Sequence, residues 1–289
     1  MTPATSIGTA TLMAGIDDPT HDPEPGRDPA GAPPAQPASP PSRSRYELNT
    51  LSWGDPLRWL ALGWRDYLRH PGIGTFYGAC FVAMGWALMT VFEHAPAWTL
   101  ALSGGFLLVG PFMCMGMYQV SQRLERGDQP DLGDSLTAWD EHIGQMAIFG
   151  FVLLVLEMVW ARSTLVIFAL SFDGMPDFKG SLMALFNPEN IEFIIAWMAV
   201  GSAFAVIIFS VSVVSIPMML DAQVDAITAG LTSLRLVLTQ TGVLLFWGAL
   251  ITALVALAML PWFAGLMVVG PVLGHASWHA YRAAVTRID

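Results

Sequence analysis

The chain has 289 residues, 54% of them hydrophobic and only 12% charged, where a soluble domain carries about 25% charged residues. Apolar stretches with almost no charge fill residues 73–280, which excludes a water-soluble globule. The formal charge of −10 arises largely from acids in the N-terminal tail and the loops, and no basic cluster is large enough to point to nucleic acid.

Residues 1–44 carry ten prolines, from Pro3 to Pro41, among Ala, Gly, Ser and Asp. Such a segment buries too little apolar surface to offset its ordering entropy, so a disordered cytoplasmic tail is expected. It lacks the basic start and apolar run of a signal peptide. Residues 45–289 form the second region, read as an all-α polytopic membrane helical bundle.

A helix needs about 20 apolar residues to cross the hydrocarbon. Six stretches qualify: 73–92, 97–120, 143–170, 193–220, 242–260 and 262–280. The last two come from one charge-free run divided at Pro261. Arg43, Arg45, Arg58, Arg65 and Arg69 precede the first stretch, Arg123 and Arg126 follow the second, Arg235 follows the fourth, and Arg282 and Arg287 follow the sixth. The positive-inside bias then places both termini in the cytoplasm, with Lys179 and Arg162 as departures. The expected location is the bacterial inner membrane.

A threefold internal repeat is also expected. Thr75-Phe76-Tyr77-Gly78, Ala147-Ile148-Phe149-Gly150 and Leu245-Phe246-Trp247-Gly248 each open an odd-numbered span. Val109-Gly110-Pro111, Ser215-Ile216-Pro217 and Val269-Gly270-Pro271 lie in even-numbered ones. Each unit reads as an interfacial helix, a span, an outer loop and a Pro-bearing span. In the first unit Asp55 and Pro56 suit a helix start. Leu57, Leu60, Ala61, Trp64 and Leu68 recur at helical spacing, and Arg58, Arg65 and Arg69 project from other faces, as in a helix lying in the headgroup layer.

The stretch from Val269-Gly270-Pro271 through Gly274-His275-Ala276-Ser277-Trp278-His279-Ala280-Tyr281-Arg282 is the most distinctive. With Ile216-Pro217-Met218-Met219-Leu220-Asp221 and Gly133-Asp134-Ser135-Leu136, it resembles a bacterial family of predicted integral membrane proteins, domain of unknown function 2189. The resemblance extends over about residues 45–285. It implies fold and location, and brings no catalytic residues with it.

Few side chains suggest chemistry. His275 and His279, four apart, share a helical face and form a potential ligand pair; the plainer reading is an interfacial belt with Trp278, Tyr281 and Arg282. Glu157 and Arg162 lie deep in the third span, where ionisable groups are costly and often functional. Five residues apart, they stand about 140° apart around the axis; the plainer reading has Arg162 snorkelling outward. Asp221 and Asp225 share a face, and Asp128, Asp131 and Asp134 cluster, with capping and pairing to Arg123, Arg126 or Arg235 as their expected roles. Cys80 and Cys114 read as small hydrophobes facing lipid or a neighbouring helix.

No nucleotide motif, nucleophile–base set or multidentate metal set is present, so no catalytic residue, metal or cofactor is expected. The reading is a non-enzymatic structural or accessory membrane protein that binds lipid or another membrane protein. Two others stand beside it: a small transporter or channel using Glu157 and Arg162, and a membrane redox or metal-binding protein using His275 and His279.

Overall fold

The computed structural model describes residues 45–95, 98–171 and 191–288. The expected disordered tail at 1–44, and Lys179 with nearly all of the outer loop, lie outside the described residues.

Helix α1 (Asp55–Arg69) carries Pro56 in its first turn, where a missing N–H costs nothing. It leads into α2 (Pro71–His94), and α3 (Thr99–Arg126) returns. Gly127 ends α3 in the left-handed conformation, with φ 82°, and the following N–H groups close onto Arg123 and Leu124. The second unit opens with the short α4 (Leu132–Leu136), which the Asp131 carboxylate caps through the N–H groups of Gly133 and Asp134. A 3₁₀ turn at Asp140–His142 leads into α5 (Ile143–Ser171).

Two of the expected boundaries move. The fourth apolar stretch is two helices, α6 (Ile191–Ser212) and α7 (Ser215–Ala222). Pro217 falls in the first turn of α7, so the chain breaks before the proline rather than bending at it. After α8 (Ala226–Thr239) and α9 (Thr241–Met259), the final turn is wider than Pro261 alone suggests. Trp262 and Phe263 both take positive φ, and α10 (Leu266–Ala284) starts later and runs further than the apolar stretch.

Among the described residues, four stretches are long and apolar enough to cross a membrane: 71–94, 132–171, 191–222 and 241–259. The long helices α3 and α10 join them in the bundle. Both turn polar toward one end, α3 through Gln119, Ser121, Gln122 and Arg123, and α10 through His275, His279 and Arg282. The chain is thus a multi-pass helical membrane protein.

The order of a short helix, a long apolar helix and a second long helix or helix pair occurs three times. Tyr77, Phe149 and Trp247, each followed by glycine, are all buried at matching places in α2, α5 and α9. Each short helix packs on the closing helices of the preceding unit: α4 on α3, α8 on α6 and α7, and α1 on α10. The first unit therefore closes onto the last. Helices α3, α7 and α10 also touch pairwise at the centre.

Close backbone approach holds the closure. A Cβ on Gly63 of α1 would lie 2.6 Å from the Val272 carbonyl oxygen and 2.7 Å from the Ala276 nitrogen. One on Gly78 of α2 would run into the Met267 backbone. At the same side of the bundle, strand β1 (Arg45–Leu48) pairs antiparallel with β2 (Val285–Ile288), Tyr46 opposite Arg287. Asn49 Nδ2 secures the ribbon by donating to the Ala283 carbonyl at 2.8 Å.

Candidate functional site: a buried polar cluster between α1, α3 and α10

Helix α1 presents Pro56, Trp59, Gly63 and Asp66 to the bundle, a buried stripe at spacings of three and four. The first three explain themselves: Trp59 fills the core edge-on to Trp247, ring centres 5.5 Å apart, and Gly63 admits α10. Asp66 is different, because a carboxylate is rarely buried unless paired. Its side chain is 3% exposed.

Three side chains satisfy it. His279 Nε2 stands 2.7 Å from Asp66 Oδ2. The Ser121 hydroxyl, on α3, lies 3.1 Å from the same oxygen. Arg69, one turn along α1, approaches Oδ1 at 3.9 Å. Ser121 also lies 2.8 Å from His275 Nδ1. Ser121 has a single proton, so it bridges Asp66 and His275 in a direction set by the His275 tautomer. An ionised carboxylate only accepts, so His279 donates to Asp66 from Nε2. Burial pushes the Asp66 carboxyl up, but the hydrogen bond and charge of His279, the charge of His275 and the Ser121 hydroxyl outweigh it and hold the group below its ordinary range.

A second cluster crowns the meeting point of α3, α7 and α10. Asp221 accepts from Gln122 Nε2 at 3.0 Å and from the Tyr281 hydroxyl at 3.0 Å, and Arg282 and Arg126 approach at 3.4 and 3.8 Å. Glu125 accepts from Trp278 Nε1 at 3.1 Å and Arg282 Nε at 3.2 Å. Beside it opens a polar cavity of about 460 Å³ whose walls include Arg123, Asp134, His142 and Gln223. Arg123 pairs with Asp134 at 2.7 Å. Asp225 instead caps α8, and the hydroxyl and backbone N–H of Thr228 hold its carboxyl below the usual range.

The two histidines of the sequence thus come together, but each has a ring nitrogen committed to a protein partner. A shared metal would have to take one face of α10 from Asp66 and Ser121. Among the described residues, no group of three or more His, Cys, Asp or Glu side chains is placed to hold a metal ion.

Glu157 and Arg162 are not brought together. Glu157 reaches the Ser103 hydroxyl at 3.5 Å and lines a cleft of about 340 Å³ with Trp160, Trp197 and Gly201. Arg162 is exposed and forms no ion pair among the described residues. It sits 19 residues into α5, about 28 Å along the axis, and nine residues before the helix ends at Ser171.

Residues 99–221, from the start of α3 into α7, match the model of a family described as predicted integral membrane protein, domain of unknown function 2189. This is the family that the sequence resembles. The matched stretch includes Gly133–Leu136 and Ile216–Asp221 but stops short of the distinctive 274–282 segment. No curated protein and no solved structure matches the chain.

Sequence reading missed Asp66, Ser121 and Glu125. Asp66 had a signal: it shares a face with Trp59 and Gly63, on the far side of α1 from Leu57, Trp64 and Leu68. Ser121 and Glu125 had none, since their partners lie 154 and 153 positions away.

Proposed function

We propose that the chain is a non-enzymatic accessory protein of the bacterial inner membrane, a six-span bundle with both ends cytoplasmic, and that helix α1 binds anionic lipid. The supporting observation is that α1 has three distinct faces. One is buried against the bundle. The second is an apolar stripe left uncovered: Leu57 is 57%, Trp64 47% and Leu68 56% exposed. Arg58, Arg65 and Arg69 form the third, all exposed, a quarter-turn from the apolar stripe. An apolar stripe flanked by arginines suits the boundary between acyl chains and phosphate headgroups.

The test uses the full chain in nanodiscs of mixed phosphatidylglycerol and phosphatidylcholine, with native mass spectrometry of the retained lipid. Wild type should retain phosphatidylglycerol preferentially. The triple variant Arg58→Gln, Arg65→Gln, Arg69→Gln should lose that preference. An unchanged preference would remove α1 from the reading, and a stoichiometric protein partner lost with the Leu57, Trp64 and Leu68 side chains would replace lipid with another membrane protein.

The cleft at Glu157 supports a second reading, a small transporter or channel. Flux in proteoliposomes that falls with Glu157→Gln is its signature; undiminished flux takes Glu157 out of the path.

A further inference from the structure

A cleft of about 440 Å³ lies between α2, α3, α9 and α10. Phe81 and Leu88 of α2, Phe106 and Tyr118 of α3, Val255 of α9 and Leu273 of α10 help to form its walls. No charged side chain lines it, and its few polar groups ask little of a ligand: the Ser277 hydroxyl already donates to the Leu273 carbonyl at 2.8 Å.

Depth identifies what can fill it. On α3 the arginines at 123 and 126 mark the headgroup level. Tyr118 stands eight residues below Arg126, and Phe106 twenty. At 1.5 Å per residue the cleft runs from about 12 to about 30 Å below Arg126, within the hydrocarbon. Water does not occupy an apolar space without polar partners. The cleft is open on one side rather than sealed within the packed interior, so surrounding hydrocarbon can reach it. Hydrocarbon remains, and the cleft's long dimension of about 18 Å follows the direction in which lipid chains lie.

We propose that this cleft is a binding site for one acyl chain of a membrane phospholipid. The inference deepens the lipid-binding reading but rests on different residues. On α10 the cleft takes Gly270, Leu273, Gly274 and Ser277, while α1 packs against the opposite face at Val272, Ala276 and His279. The acyl-chain site and the basic row of α1 are therefore separable.

The test is photolabelling of the full chain in proteoliposomes by phosphatidylcholine carrying a diazirine within one acyl chain, with labelled peptides mapped by mass spectrometry. Labelling of residues 81–88, 106–118 and 251–259 should saturate at about one chain per protein. Unlabelled phospholipid should compete with it. Val255→Trp, which fills the cleft, should lower labelling at 106–118 at least tenfold. Labelling at the exposed Phe151, Val155 and Val159 of α5 should stay constant as a measure of bulk lipid. Ile251→Phe serves as a second filling variant if Val255→Trp does not fold. Labelling at 106–118 that never rises above the α5 level, or that survives the filling variant that folds, would overturn the site. So would an isoprenoid recovered in the cleft in place of phospholipid. Loss of headgroup preference in the α1 arginine variant with cleft labelling intact would support the acyl-chain site alone.

Discussion

Asp66 Oδ2 and His279 Nε2 stand 2.7 Å apart although 213 positions of sequence separate them, a polar contact that joins the close backbone packing at Gly63 in tying the first helix of the bundle to the last. Both side chains are largely withdrawn from water, at 3% and 14% exposure. Removing one partner leaves the other buried and unpaired, so Asp66→Ala should cost about 3–5 kcal/mol. Asp66→Asn keeps an acceptor for Ser121 and should cost less. Unfolding in mild detergent, with Asp66→Ala, His279→Ala and the double variant as a cycle, measures the coupling.

The same contact gives a pH dependence. The folded Asp66 carboxyl titrates below its ordinary value of 3.8. A depressed carboxylate contributes stability that is complete above the ordinary value and is lost as pH falls through the folded one. The stability gap between wild type and Asp66→Asn should hold at pH 5–7 and shrink below about pH 4. A gap that widens with acid would show that Asp66 is neutral in the folded protein.

Glycine positions should divide sharply. At Gly63 and Gly78 an added methyl meets α10 backbone, which cannot move aside cheaply. Gly63→Ala and Gly78→Ala should each cost about 1–3 kcal/mol. At Gly105 of α3 nothing lies within 4 Å of an added Cβ, and alanine should be neutral or stabilising by up to about 1 kcal/mol through helix propensity. Thermal unfolding of the three variants tests the contrast.

Helix α8 should depend on its cap. The Asp225 carboxylate accepts from the N–H groups of Ile227 and Thr228 at 3.0 and 2.9 Å. Asp225→Ala should cost about 1 kcal/mol, and hydrogen exchange should quicken first in the opening turn of α8.

Topology can be read chemically. The β1–β2 ribbon places Ser52 and Thr286 near one another's side of the bilayer. Single cysteines there, in a chain with Cys80 and Cys114 replaced by serine, should react with an impermeant maleimide from the same side. Labelling from opposite sides would break the ribbon.

The sequence made the bundle legible because membrane spans depend on long local runs of apolar side chains. The repeat was legible for a similar reason, since aromatic-glycine and proline positions recur along the chain. The break before α7 was hidden because Val213 and Val214 continue the apolar run, and hydropathy does not register a missing hydrogen bond. Amphipathicity of α1 was visible in Leu57, Trp64 and Leu68, but that stripe faces away from the bundle. The buried face, Trp59, Gly63 and Asp66, is small, aromatic and acidic by turns, and only α10 gives it meaning. His275 and His279 were recognisable as a shared face; that the face meets a carboxylate from α1 is long-range information.

The ribbon that clasps Arg45–Leu48 to Val285–Ile288 has a practical corollary for engineering. With these segments hydrogen-bonded side by side, a few residues of linker suffice to join them, and fresh ends can be opened in the exposed turn around Gly127 and Asp128, on the same face. Such a circular permutant, made without residues 1–44, would keep every helix in place while shortening the separation of Asp66 and His279 along the polypeptide from 213 positions to about thirty plus the linker.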